Sequence, residues 1–183
     1  MSRVHQLNPT PKTVHWGHFD ASIPPVLEIE SGDTVIIDTV SGGRQEVTDD
    51  RWFRADHRII VDQVVQSMGP HILTGPVAVK GAQPGDTLEI CIESIELTAD
   101  WGWNIIRPLK GALPEQFSRL SRRIIPIDRT AGLARLPWGV DVPLQPFFGI
   151  MGVAPPAHYG RVSSIEPREY GGNIDCKEFV PGT

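Results

Sequence analysis

Pro25-Val26-Leu27-Glu28-Ile29-Glu30-Ser31-Gly32-Asp33-Thr34-Val35-Ile36-Ile37-Asp38 carries the strongest structural signal in the chain. β-Branched residues dominate both arms, and Ser31-Gly32-Asp33 supplies turn chemistry between them, so the stretch predicts two strands joined by a tight turn. The pattern returns downstream. Pro76-Val77-Ala78-Val79-Lys80 leads through Gly81-Ala82-Gln83-Pro84-Gly85-Asp86 into Thr87-Leu88-Glu89-Ile90-Cys91-Ile92. Both copies join an apolar strand to an alternating one through a Gly-Asp-Thr turn, which predicts a recurring β-hairpin.

Composition agrees with a β protein. The chain has 183 residues, 18 Gly and 17 Pro, and these turn-forming residues favour many short strands over long helices. At 40% hydrophobic and 21% charged residues it has enough apolar material for a core, so disorder is excluded as its general state. The fold class expected is all-β, a sandwich or barrel of short strands with little helix, formed by residues 1–183 as one domain.

The remaining segments are less regular. Arg54–Gln66 has a spacing that permits a short helix or an irregular excursion, and Gln116–Arg123 is the best helical candidate, with Phe117 and Leu120 on one face. Trp101, Trp103 and Trp138 lie among Gly and Pro and suggest aromatic plugs over a barrel or sandwich edge. Short strands return at Arg123–Ile127 and Phe147–Ala154. Cys91 sits in an apolar alternation and is expected as a buried free thiol.

Charge and targeting signals narrow the partners. A net charge of −5 with no dense Lys/Arg run argues against nucleic acid. The amino terminus has no apolar leader segment, and no stretch approaches the ~18 apolar residues of a membrane span, so a cytoplasmic location is expected.

Three constellations carry candidate chemistry. His71, in the Gly69-Pro70-His71 loop, is placed to bind a metal or shuttle a proton, or else is a hydrogen-bonded structural histidine. Asn173 and Asp175 are two apart, so in an extended strand they share a face, where a carboxylate and an amide can hold a metal or orient a water. Gly171 and Gly172 before them allow close approach of a ligand, and the alternative is an Asx turn capping the strand. His15-Trp16-Gly17-His18 sets two histidines three apart, which ligate one ion only where the backbone is helical or turns tightly; the flanking prolines favour a loop, in which they are surface or hydrogen-bonding histidines. A cysteine nucleophile at Cys176 has no partner base identifiable by spacing.

Several of these segments resemble the acetamidase/formamidase family. The resemblance is carried by Gly69-Pro70-His71 with Leu73-Thr74-Gly75-Pro76-Val77, by Pro84-Gly85-Asp86-Thr87-Leu88 and by Pro146–Pro156. It is densest from Arg161-Val162-Ser163-Ser164-Ile165 through Gly171-Gly172-Asn173-Ile174-Asp175-Cys176-Lys177-Glu178. His15-Trp16 followed by Pro25–Ile29 also matches the family's usual beginning.

The resemblance implies hydrolysis of small linear amides on a largely β fold, with a divalent metal, zinc or calcium, and self-association as a homodimer or higher oligomer. It nominates Asp175 and His71 as catalytic, Gly172 and Asn173 as substrate-binding, and Asp175, His71 and His15 as metal ligands. Family members continue into a Gly-Asp-x-His…Gly-Asp-Gly-Glu segment, whereas this chain ends at Val180-Pro181-Gly182-Thr183. The expectation is an amino-terminal portion whose site a second chain completes, the alternative being a non-catalytic β module or partner subunit.

Overall fold

A computed structural model describes residues 2–183. Strands β1 to β7 are Val4–Leu7, Val14–Trp16, His18–Phe19, Leu27–Ile29, Thr34–Ile37, Ile72–Thr74 and Val77–Val79. Strands β8 to β14 are Trp101–Ile106, Ser121–Asp128, Leu133–Arg135, Asp141–Pro143, Ile150–Gly152, Val162–Ser163 and Gly171–Asn173. Helix α1 is Ala55–Gln63, and short 3-10 turns occur at Asp50–Trp52 and Ala157–Tyr159. The protein is all-β, 28% strand and 8% helix. Among the described residues the strands form five two-stranded sheets and one four-stranded sheet, and none closes into a barrel.

The chain groups into two compact units, each assembled from separate stretches. The first contains the chain through Gly43, Phe53–Ile90 and Phe148–Cys176; the second contains Arg44–Trp52, Cys91–Phe147 and Lys177–Thr183.

In the first unit the turn at Ser31-Gly32-Asp33 forms, with Asp33 N donating to Glu30 O at 3.1 Å. The hairpin does not. Strand β4 pairs in parallel with β7, and β5 pairs in parallel with β1. The Asp33 side chain explains the divergence. Its carboxylate accepts from Arg3 N at 2.8 Å, from His5 Nε2 at 2.8 Å and from Glu30 N at 3.1 Å, which draws the amino-terminal strand alongside β5. Those donors hold the carboxyl at a pKa of about 2, the Arg3 amide contributing most.

The core of this unit lies on one face of the antiparallel β2–β6 ladder. Val14, Trp16 and Ile72 pack with Val40 and with Ile60 of α1, which is 0% exposed. Helix α1 therefore forms where the sequence left helix and excursion open, because burying Ile60 and His57 along one face stabilises it. Arg54 anchors its start, donating to Asp38 at 2.7 Å and to Asp56 at 2.7 Å. The helix ends at Val64, which is extended, and Val61 and Val64 extend the core.

The second copy of the repeated pattern also departs from expectation. Val77–Val79 is a strand, but Thr87–Ile92 joins no ladder. Leu88 and Ile90 are exposed, and so is Cys91, which is a free thiol on the surface and not a buried one.

The second unit is built on an antiparallel sheet in the order β11-β10-β9-β8. The helix expected at Gln116–Arg123 is absent: residues 121–128 are β9, which pairs along its length with β8. Phe117 and Leu120 are exposed, so a helix there would have had no apolar face to bury. Trp101 and Trp103 lie in β8, with Trp101 against Trp52 at 5.9 Å between ring centroids. Trp138 is 65% exposed and plugs nothing.

The Asp33 clamp has a pH signature. A depressed carboxyl stabilises the fold above its unfolded pKa and loses that contribution as pH falls through the folded value. Asp33→Asn is expected to lower the thermal midpoint at pH 6, with the gap to the parent closing between about pH 4 and pH 2. Melting curves across that range measure it, and a gap independent of pH contradicts the clamp.

Candidate functional site

Within the first unit, three stretches meet at Gly17. That residue breaks the strand between β2 and β3 with φ +88°, and a Cβ there would lie 2.4 Å from Gly69 O. Only glycine accommodates both the conformation and the approach. Gly69 is equally confined, since its own Cβ would lie 2.3 Å from Ser164 Oγ. Backbone hydrogen bonds lace the three: Gly17 N to His71 O at 2.8 Å, Ser164 N to Gly17 O at 3.0 Å and Ser67 N to Trp16 O at 3.2 Å. Trp16 Nε1 adds a bond to Pro70 O at 3.0 Å.

This lacing sets the histidines. In the β2–β6 register His15 faces Leu73, and the Gly17 N to His71 O bond continues the ladder by two residues. Side chains alternate across a strand, so His15 and His71 occupy the face opposite Val14, Trp16 and Ile72. The bend at Gly17 brings the His18 ring to 5.5 Å from that of His15, tilted by 59°. The tight turn that two histidines three apart require is therefore present.

Each ring has a distinct environment. His71 Nδ1 lies 3.0 Å from both the carbonyl and the hydroxyl oxygen of Ser164, a residue only 1% exposed. The buried His18 places Nδ1 2.6 Å from Ser67 Oγ and 3.1 Å from Trp16 O. His15 is half-buried, and its Nδ1 is a buried atom with no hydrogen-bond partner. Burial, followed by the neighbouring His18, lowers its pKa to about 4, against the opposing pull of the Gly75 backbone and Asp20. Asp20 is itself held low by the Ser22 hydroxyl, at 2.6 Å, and the Ser22 amide, at 2.8 Å.

The Gly-Gly-Asn-x-Asp segment is arranged differently from an extended strand. Strand β14 pairs with β12 and ends at Asn173, and Asp175 has φ +54°. That left-handed residue breaks the alternation, so Asn173 and Asp175 are not two positions on one strand face. Asn173 donates from Nδ2 to Ile165 O at 3.1 Å, and Asp175 N donates to Gly149 O at 2.9 Å. The Asp175 carboxylate is exposed and rests over Gly149, where a Cβ would come within 2.9 Å of Oδ1. Gly172 is buried beneath. Next to it, Tyr170 is buried with its hydroxyl unpartnered and its ring 5.5 Å from that of Phe19.

His18, Ser67, Ser164 and Tyr170 thus join residues the sequence nominated. The signal for His18 and Ser164 was already in the chain, within the His-Trp-Gly-His and Ser-Ser-Ile stretches; nothing in sequence marked Ser67 or Tyr170.

A divalent ion needs neutral imidazoles with an available ring nitrogen, and catalytic zinc commonly takes three protein ligands. His15 and His18 fit as part of such a set. Among the described residues, no group of three or more His, Cys, Asp or Glu side chains is placed to hold a metal ion.

This all-β fold has counterparts among known proteins. A model of the acetamidase/formamidase family matches residues 5–161, and the chain belongs to that family. It is similar to the crystal structure of an acetamidase from Bacillus halodurans, with 30% identity over 96% of this chain and 54% of that one and a TM-score of 0.75. A recombinant predicted acetamidase/formamidase from Thermoanaerobacter tengcongensis shares the fold at 22% identity, TM-score 0.76, over 99% of this chain and 55% of that one. So does a gamma lactamase from Delftia acidovorans at 20% identity, TM-score 0.72, over 97% and 56%. The chain spans about half the length of these relatives. No curated protein matches it.

Two outcomes follow from the geometry. Gly17→Ala should cost at least ~2 kcal/mol in urea unfolding, from a strained φ and a clash with the Gly69 backbone. A loss under ~0.5 kcal/mol, the scale of an ordinary surface change, contradicts the close approach. His15, with its pKa lowered, favours the fold while it stays neutral; stability should decline as metal-free protein is taken from about pH 6.5 to pH 4 and level off below. His57 is also lowered by burial, so the parent is compared with His15→Gln. The difference attributable to His15 should be about 3 kcal/mol at most, reduced by solvent screening of the half-buried ring. Parallel pH profiles for parent and variant contradict it.

Proposed function

We propose that this chain takes part in hydrolysing the carbon–nitrogen bond of small linear amides, of the formamide and acetamide size. Family membership and the likeness to an acetamidase support the reaction class. The observation that carries the reading to a site is the His15 Nδ1 atom, buried and unpartnered, beside a second imidazole at 5.5 Å. An unclaimed buried ring nitrogen is costly unless something binds it.

A divalent metal is proposed with it, zinc ahead of calcium because imidazoles suit zinc, with Asp175, His71 and His15 contributing ligands as the family resemblance suggests and His18 lying next to His15. When bound, such an ion supplies a nucleophilic water near neutral pH and polarises the amide carbonyl. The chain's own groups do the rest. His15, kept neutral by burial, offers a lone pair and not a proton. Asp175, exposed and pinned by its backbone bond to Gly149 O, orients a water or takes its proton. His71 passes to the departing ammonia a proton that its Nε2 has first taken up, or binds the ion. Asn173, with its amide nitrogen committed to Ile165 O, leaves its oxygen to accept from the substrate's NH2 beside buried Gly172.

The same fold supports a second proposal, that the chain works as an assembly: a homodimer, a higher oligomer or a complex with a second chain that completes the site. Val4 and Ile36 are exposed apolar side chains on the two-stranded β1–β5 ladder, and Leu88 and Ile90 are exposed in a segment that joins no ladder; such surfaces are ordinarily covered. Among the described residues, no helix is long and apolar enough to cross a membrane. A cytoplasmic location is proposed, in keeping with two cysteines, Cys91 and Cys176, that are not joined in a disulfide.

Assay of the purified chain on formamide and acetamide with added zinc, alone and with the product of any adjacent reading frame, tests the function. Turnover should fall about 10²-fold or more in Asp175→Ala and in His71→Ala, the scale of losing one acid–base group. Absence of turnover in every combination, together with no metal by elemental analysis, overturns it. Monomeric behaviour in sizing with light scattering overturns the assembly.

A further inference from the structure

Four histidines of the first unit face an acceptor that decides where the ring proton sits, and they divide into two kinds. A backbone carbonyl or a carboxylate has no proton to give, so a ring nitrogen bonded to one must carry the hydrogen. His5 meets the Asp33 carboxylate through Nε2 at 2.8 Å, and His57 meets Gly42 O through Nε2 at 2.8 Å. Both are therefore Nε2–H. His71 meets Ser164 O through Nδ1 at 3.0 Å, which makes it Nδ1–H.

His18 reaches the same state by a different route. Ser67 Oγ donates its single proton to Trp16 O at 2.8 Å, so only lone pairs remain to face His18 Nδ1 at 2.6 Å. The ring must donate there. Trp16 O, at 3.1 Å from the same nitrogen, is a second acceptor and reinforces the assignment.

The geometry points to Ser67 and Ser164 as positioning residues that fix His18 and His71 as Nδ1–H tautomers, so that both rings present a basic Nε2 atom. A ring whose Nδ1–H is held by a carbonyl or hydroxyl is the arrangement that orients imidazole bases and metal-binding histidines, because the held nitrogen sets both tautomer and ring direction. The confinement around Ser164 is what gives its clamp precision. Its amide is bonded to Gly17 O at 3.0 Å, it is 1% exposed, and Gly69 has no side chain that would displace its hydroxyl. Ser67 is exposed, so its clamp on His18 is open to substitution without disturbing a core.

His18 thereby joins the candidate site through its Nε2: its ring lies 5.5 Å from that of His15, which shares one face of the β2–β6 ladder with His71. The use of these atoms in amide hydrolysis rests on the function proposed above; the tautomers do not.

Long-range 1H–15N correlation spectra of the full chain, labelled with 15N-histidine and recorded at about pH 8 where imidazoles with ordinary pKa values are neutral, test this directly. Signals are assigned with single His→Gln variants. His18 and His71 should show a pyrrole-like Nδ1 and a pyridine-like Nε2, with His5 and His57 showing the reverse as built-in references. Ser67→Ala removes the shorter contact and leaves only Trp16 O at 3.1 Å, so it should move the His18 pattern part of the way toward a tautomer average while leaving His71 unchanged, and Ser67→Thr should restore it. A pyrrole-like Nε2 at His18 or His71 overturns the inference, as does a His18 pattern unmoved by Ser67→Ala. Correct tautomers without amide turnover would overturn the proposed function and leave this inference standing; turnover with the wrong tautomers would do the opposite.

Discussion

The approach of Gly17 to Gly69 is the constraint on which the rest of the first unit's site depends. With no side chain at either position, the backbones of three distant stretches come close enough to exchange hydrogen bonds directly. That contact places the His71 carbonyl against Gly17 and the Ser164 hydroxyl under Gly69. Trp16, buried at the same place with its indole bonded to Pro70 O, fills the opposite face and ties the lacing to the core of Val14, Val40, Ile60 and Ile72. Packing and chemistry are thus two faces of one ladder: alternation sends Trp16 inward and His15 outward because they are adjacent residues.

The polar groups around the histidines follow from the same closeness. A carbonyl brought to 3.0 Å of an imidazole in a place shielded from water is no passive neighbour, since it dictates which nitrogen holds the proton. Among the described residues, two buried side-chain atoms break the usual rule that buried polar groups are paired, His15 Nδ1 and Tyr170 OH. One sits among the histidines and the other beside the Gly-Gly-Asn-x-Asp segment, the two places the family resemblance singles out. At the second of these places Asp175 is held in a left-handed conformation, which asparagine and aspartate tolerate better than other residues.

How much of this was legible in the chain varies with the range of the interaction. The strand residues of β4, β5, β7 and β9, the Gly-Asp turns and the Gly-Pro-His loop all follow from local preferences and were readable directly. The hairpins were not. A turn signal at Ser31-Gly32-Asp33 says that the chain reverses, and it does, but the Asp33 carboxylate then recruits Arg3 and His5 from thirty residues away, and the strands find parallel partners instead. Thr87–Ile92 shows the converse: a flawless alternation with no ladder beside it. Gln116–Arg123 had helical spacing but belonged in part to a strand, because β8 offered pairing along its whole length.

By itself, then, the sequence determined the β-rich class, most of the places where the chain turns and the family kinship, and it nominated His15, His71, Gly172, Asn173 and Asp175 for the proposed site. Tertiary structure alone decided which strands pair, that Asn173 and Asp175 leave a common strand face, and that Ser67 and Ser164 stand behind His18 and His71. The physical reason is one of range. Turn formation and strand preference are properties of a few consecutive residues, whereas the proton on an imidazole is placed by an acceptor that can lie up to 93 positions along the chain and is brought near only by folding.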